Sequence, residues 1–236
     1  MTKGLPNTLI QAIESGKAIL FSGAGFADGC VNFKGDTPPR GKELAHQIAE
    51  LGSFEKDDDL EYVAERYLKQ NLERSKLIGF LKDTFTIRST AAFHNAICAL
   101  PWMRCYTTNY DNSIEVAGQA IGKRYETVFV GTSPTEYSKN NLVVHINGSI
   151  SELSEKTMDT SFKLSGSSYN SPEGFRKSPW FHNFKNDLGR CSAIVFIGYS
   201  LYDIDIKRII ADYDYLKAFF ITRKSISEKE EFIFKS

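Results

Sequence analysis

The run Ala18-Ile19-Leu20-Phe21 passes without a break into Ser22-Gly23-Ala24-Gly25-Phe26. A short apolar run ended by glycines predicts a strand buried on both faces and a turn at its carboxyl end. Glycines at that point let the backbone approach a pyrophosphate and offer N–H groups to it. A tight turn in any α/β protein would look the same. The loop contains no Gly-Lys-Ser/Thr, which excludes a Walker-type triphosphate loop.

Comparable runs, rich in Val, Ile, Phe or Leu, recur at residues 104–108, 142–146, 193–197 and 218–221. Between them, apolar residues return at three and four positions over residues 41–51, 60–71, 75–85, 91–99 and 204–213, the period of a helix with one buried face. The alternation predicts an α/β fold, a Rossmann-like doubly wound parallel sheet with helices on both faces. Two stretches break it. Residues 28–40, with Gly29, Gly35, Pro38 and Pro39, predict a loop after the first strand. Residues 149–178 are Ser-rich and interrupted by Gly166, Pro172 and Gly174, which predicts a small helical or loop insertion acting as a mobile flap. Pro179 then suits the first turn of another helix.

The composition narrows the function classes. The chain has 236 residues, 42% of them hydrophobic, which is enough for one sizeable core. Lys and Arg number 29 against 29 Asp and Glu, so no net field draws the protein to a nucleic-acid backbone or an anionic membrane. Cys30, Cys98, Cys105 and Cys191 form no C-x-x-C pair, which argues against a structural zinc site and a disulfide framework and fits a reducing cytoplasm. The amino-terminal residues lack a secretory apolar stretch, and no run approaches the roughly 18 to 20 apolar residues that cross a bilayer. No internal repeat is visible, and Asp57-Asp58-Asp59 is short enough for a solvated turn or helix start.

Polar residues gather where the runs end. These endings are Thr107-Thr108-Asn109-Tyr110-Asp111, His145-Ile146-Asn147-Gly148 and Gly198-Tyr199-Ser200-Leu201-Tyr202-Asp203. Open α/β sheets bind ligands outside the carboxyl ends of their strands, so these endings and the glycine loop describe one crevice with backbone donors, amide, carboxylate and imidazole. Each has a purely structural alternative: an Asx turn and helix cap for Asn109 and Asp111, a satisfied buried histidine for His145, a cap for Ser200.

The ordered set Gly23-Ala24-Gly25, Thr108-Asn109-Tyr110-Asp111, His145 shortly before Gly148, and Gly198-Tyr199-Ser200 resembles the sirtuin superfamily over nearly the whole chain. Phe93-His94-Asn95-Ala96 and Leu100-Pro101 add to the likeness. It looks closest to the zinc-less, sirtuin-like NADases of bacterial antiviral defence. Deacylases of the superfamily usually carry four zinc-binding cysteines before the Gly-x-Ser strand, and residues 149–190 contain none. Ala27 stands where a serine is common.

The resemblance implies a single NAD-binding domain over residues 1–236, the effector part of a longer protein. NAD is then the substrate, with no zinc. Catalysis falls to Asn109, which orients water or the ribose, and to His145, a base with an unperturbed pKa near 6.5. Gly23, Ala24, Gly25, Phe26, Thr108, Asp111, Gly198, Ser200 and Asp203 hold the rest of the dinucleotide. The leading function is an NAD glycohydrolase that yields nicotinamide and ADP-ribose and depletes NAD. A deacylase or ADP-ribosyltransferase, and a non-catalytic NAD or ADP-ribose sensor, are the alternatives. The apolar triplet Phe232-Ile233-Phe234 after a charged run invites either docking on its own domain or an oligomer or sensor contact.

Overall fold

A computed structural model describes residues 5–70, 72–137, 140–170, 174–199, 212–213 and 215–221. In chain order the elements are α1 (Asn7–Glu14), β1 (Ala18–Ser22), a 3-10 turn (Ala24–Ala27), β2 (Val31–Asn32), α2 (Gly41–Leu51), α3 (Leu60–Lys69) and α4 (Arg74–Phe85). There follow β3 (Ile87–Ser89), α5 (Ala92–Ala99), β4 (Arg104–Thr107), α6 (Ser113–Ala120), β5 (Glu126–Val128) and β6 (Leu142–His145). Last come α7 (Glu155–Met158), α8 (Gly166–Asn170), α9 (Pro179–Arg190), β7 (Ala193–Ile197) and β8 (Lys217–Ile221). The helix expected at residues 204–213 and the triplet Phe232-Ile233-Phe234 fall outside the described residues, Asp212 and Tyr213 apart.

The main sheet runs β5-β6-β4-β1-β7-β8, and every pairing in it is parallel. β1 lies between β4 and β7, so successive crossovers leave it in opposite directions and open a crevice at its carboxyl end. β1 is buried at every position, which explains its unbroken apolar run. Ile19 and Phe21 enter the core with Trp180, Phe184 and Leu188 of α9. Ala18 and Leu20 enter the opposite core with Leu9 of α1, Cys98 of α5 and Ile114 and Ala117 of α6. Both faces are covered, as a doubly wound sheet requires. β2 and β3 form a separate antiparallel ribbon.

The described residues of 149–178 form the small helical insertion, and part of it is packed into a core. Ile150, Leu153, Met158, Phe162 and Leu164 pack with α2, α3 and α4 in a third core. Its serines look like loop residues in sequence but are bonded locally. Ser168 Oγ accepts from the backbone N–H groups of Leu164 and Ser165 at 3.0 and 3.1 Å and donates to the Ser165 carbonyl at 2.8 Å. The buried Lys163 ammonium donates to the Thr160 carbonyl at 2.7 Å and to that of Ser168. Polar groups paired in this way can be buried without a large penalty. This part of the insertion is therefore a packed helical module.

A second polar anchor lies at the amino end of β4. Arg104 Nε meets Asp187 Oδ2 of α9 at 2.5 Å, and the Tyr106 hydroxyl donates to the same oxygen at 2.7 Å. The Arg104 guanidinium also sits over Trp180, 5.6 Å from the ring centre.

Candidate functional site

Register aligns the strand endings. Ser22 pairs with Thr107 on one side and with Ile197 on the other, and Thr107 pairs with His145. The last residues of β6, β4, β1 and β7 thus lie across the sheet in one row, and the loops carrying Asn109, Asp111 and Gly198 leave from it.

The glycines bring two of these loops into backbone contact. Gly23 N–H donates to the Ile197 carbonyl at 3.1 Å, and Gly25 N–H donates to the Gly198 carbonyl at 2.9 Å. A Cβ on Gly25 would come within 2.9 Å of Gly198 Cα, and one on Gly23 within 2.8 Å of the Gly198 carbonyl oxygen. Gly198 has φ +62°, and a Cβ there would lie 2.2 Å from Phe26 N. These positions need glycine because the two loops press together, and Gly198 needs it twice over because of its left-handed backbone.

Phe26 and Ala27 are buried, and the Phe26 ring stands edge-on to His94 with centroids 5.0 Å apart. His94 Nδ1 accepts from Ala91 N–H at 3.1 Å, so Nε2 carries the proton and donates to the Phe26 carbonyl at 2.6 Å. His94 therefore fixes the glycine loop from α5. Cys30 Sγ lies 3.3 Å from His94 Nε2, and burial pushes the thiol up to about 12, so Cys30 offers no thiolate at neutral pH. Cys98 and Cys191 are likewise pushed up to about 12 by burial.

Asn109 occupies the centre of the row. Its Nδ2 donates to the Gly23 carbonyl at 3.0 Å and its N–H to Thr107 Oγ1 at 3.0 Å. The side chain thus reaches from the β4 loop to the β1 loop and leaves Oδ1 to accept from a ligand. Asp111 Oδ1 accepts from Ser113 N–H at 3.0 Å, the Asx-type turn that starts α6. Burial raises the Asp111 pKa, against the Ser113 hydrogen bonds and the His145 charge, which lower it.

His145 is 1% exposed, and both ring nitrogens are engaged. Nδ1 is 2.9 Å from the Asn109 carbonyl and Nε2 is 3.0 Å from Glu115 Oε1. A carbonyl only accepts, so Nδ1 carries a proton; a carboxylate on Nε2 asks for a second. Burial acts to lower the His145 pKa, but Glu115's charge and hydrogen bond outweigh it and the pKa is raised. Burial likewise acts to raise the Glu115 pKa, yet the imidazolium and the Thr127 hydroxyl, 2.7 Å from Oε1, leave it lowered. Both shifts favour the charged forms of the pair, and His145 is a base only in its neutral form.

Gly23, Ala24, Gly25, Phe26, Thr108, Asn109, Asp111, His145 and Gly198 are all brought to this edge, although the Phe26 side chain enters the core. Ser200 and Asp203 lie outside the described residues. Sequence reasoning missed Glu115. The available signal was its position one helical turn after Asp111 in Asp111-Asn112-Ser113-Ile114-Glu115. Among the described residues, no group of three or more His, Cys, Asp or Glu side chains could hold a metal ion.

A parallel doubly wound sheet with polar residues in a row at its carboxyl edge places the chain in the α/β class whose ligands bind outside the carboxyl ends of the strands. Residues 104–225 match the SIR2-like domain, and the chain belongs to that family. It is 28% identical over 215 residues to NAD(+) hydrolase ThsA of Enterococcus faecium, a match covering 86% of this chain and 41% of that protein. The protein of the same name from Cytobacillus dafuensis is 27% identical over 212 residues, covering 86% and 39%. That from Acinetobacter baumannii (strain 532279) is 29% identical over 148 residues, covering 61% and 30%. The chain thus spans about two fifths or less of the length of these curated relatives.

Proposed function

We propose that this chain is an NAD glycohydrolase, cleaving NAD to nicotinamide and ADP-ribose as an NAD-depleting effector of antiviral defence in the cytoplasm. The observation that carries the reading is Asn109, whose amide spans the β4 and β1 loops with His145 against its backbone. The names of the relatives point the same way.

The chemistry asks little of the protein. Nicotinamide leaves as a neutral pyridine from a cationic precursor. The C1′–N bond breaks with its electron pair passing to the pyridine nitrogen, and a water oxygen bonds to C1′ and gives up a proton. The site has to stabilise an oxocarbenium-like ribose and place the water. In this reading Asn109 Oδ1 orients the water or a ribose hydroxyl, and His145 in its neutral form receives the proton. The glycine loop, Thr108, Asp111 and Gly198 hold the dinucleotide together with Ser200 and Asp203. The reading includes a homo-oligomer or a fused or partner sensor module, since unregulated NAD loss would kill the host.

Chromatography of NAD incubated with the chain tests the proposal. Nicotinamide and free ADP-ribose in equal amounts, without any acceptor peptide, are expected. An absolute need for an acylated peptide or a protein acceptor would overturn it in favour of transfer chemistry, and tight NAD binding with no product would leave a sensor. Specific activity should rise steeply with protein concentration; full activity at nanomolar dilution would remove the assembly requirement.

A further inference from the structure

We propose that Glu115 is a positioning residue which holds the His145 ring by Nε2, so that the ring in turn holds the Asn109 backbone by Nδ1. The inference deepens the NAD glycohydrolase reading and rests on it for its kinetic part. The geometry forms one chain across three elements. The Thr127 hydroxyl of β5 donates to Glu115 Oε1 at 2.7 Å, the same oxygen meets His145 Nε2 at 3.0 Å, and His145 Nδ1 meets the Asn109 carbonyl at 2.9 Å. Asn109 Nδ2 then reaches the Gly23 carbonyl at 3.0 Å, so the series ends on the glycine loop.

Glu115 is held for this purpose and has little else to do. Its side chain is 15% exposed, and Oε2 has no hydrogen-bond partner among the described residues. Leaving a buried carboxylate oxygen unpaired is costly, and a helix residue with no task at the site would be better replaced by an apolar one. The other charged groups that face His145 are Asp111, from the loop after β4, and Glu152, from the segment after β6. Neither is hydrogen-bonded to the ring. All three carboxylates favour the imidazolium, but only Glu115 also fixes the direction of the ring.

A second consequence concerns substrate. While Nε2 is on Glu115 it cannot meet a ribose hydroxyl or a water. Loss of the Nε2 proton as pH rises weakens that contact and frees the nitrogen to accept. The base-competent form therefore appears at higher pH than for an isolated histidine, and Glu115 decides where.

The test has a structural and a kinetic arm. With the full chain labelled at histidine nitrogens, ring shifts are followed from about pH 5 to about pH 9, His145 being assigned by backbone-to-ring correlation and distinguished from His46, His94 and His182. Wild-type His145 should titrate above the ordinary 6.5. In Glu115→Gln its midpoint should fall by about one unit or more. A wild-type midpoint at or below 6.5 overturns the proposal without recourse to any variant. So does an unmoved midpoint in folded Glu115→Gln.

In the kinetic arm, the alkaline rise of kcat should move to lower pH in Glu115→Gln by the same amount as the ring midpoint, with KM for NAD within about threefold. Glu115→Asp should restore part of the wild-type profile. A residue that served folding alone would lower activity at every pH and leave the profile unmoved. If the wild-type chain does not cleave NAD, the functional reading fails, and the ring titration still decides whether Glu115 governs His145.

Discussion

The pairs Arg104–Asp187 and Glu115–His145 both tie a helix to a central strand, from opposite ends of the sheet. Arg104 is the first residue of β4, and its pair binds α9 at the amino edge. His145 is the last residue of β6, and its pair binds α6 at the carboxyl edge. A guanidinium keeps its charge at any pH the protein meets, whereas an imidazole loses it near neutrality. Asp187 spends one oxygen on two donors, the Arg104 guanidinium and the Tyr106 hydroxyl, and that guanidinium sits over Trp180. Glu115 has an oxygen with no described partner, and its histidine leads to Asn109. The same fold therefore sets a permanently charged pair at the amino edge and a titratable one at the carboxyl edge, beside Asn109.

The contrast breaks first under alanine substitution. His145→Ala should lower NAD turnover about a hundredfold or more while NAD affinity, read by calorimetry, stays within a few-fold. Asp187→Ala should do the reverse. Turnover per folded molecule stays within about twofold, but stability falls by about 3 kcal/mol because a guanidinium is left largely buried without its partner. In a melting curve that is a drop of roughly 6–12 °C. A large turnover loss in stable Asp187→Ala would erase the division between the two edges.

The pH dependence of stability sharpens it. The raised His145 pKa contributes stability that is fully present below its unfolded value of 6.5 and lost as pH rises through the folded one. The lowered Glu115 pKa contributes stability fully present above 4.5 and lost as pH falls through its folded value. The melting-temperature gap between wild type and Glu115→Gln should therefore be widest between 4.5 and 6.5 and shrink at higher pH. The gap between wild type and Asp187→Ala should stay flat from about pH 6 to about pH 9. The smallest effect is expected from metal removal. A chelator should shift the melting temperature by less than about 1 °C, and stoichiometric zinc lost together with folding would contradict this and reopen deacylation.

The sheet was legible wherever a strand was buried on both faces. Residues 18–22, 104–107, 142–145 and 193–197 read as apolar runs because both sides of the ribbon meet a core. β5 escaped notice because Glu126-Thr127-Val128 is three residues long and two of them are polar and half-buried. Of α6 only the start was legible, as the Asx turn and helix cap offered at Asp111. The insertion at residues 149–178 was legible from its Ser, Gly and Pro content, but the packing of residues 149–164 was not, because serine content reports polarity and local hydroxyl bonds satisfied that polarity inside the protein. At the site, Asn109 and His145 stood out as polar residues at strand ends. Glu115 did not, because its partner lies 30 residues away and only the β4–β6 pairing brings them together. The need for glycine at 25 was attributed to a diphosphate, but its immediate neighbour is the Gly198 backbone. Gly25→Val should accordingly lower stability along with NAD binding.

The catalytic role proposed for Asn109 is set at the contact between the β4 and β1 loops. Its most direct test is nicotinamide release by the full chain and by Asn109→Ala, measured by chromatography at equal folded concentration, with NAD binding followed by calorimetry on the same samples. Nicotinamide and ADP-ribose are expected from the wild type, with turnover lower by about a hundredfold or more in the variant and NAD affinity within a few-fold. Wild-type turnover in a folded Asn109→Ala chain would contradict it.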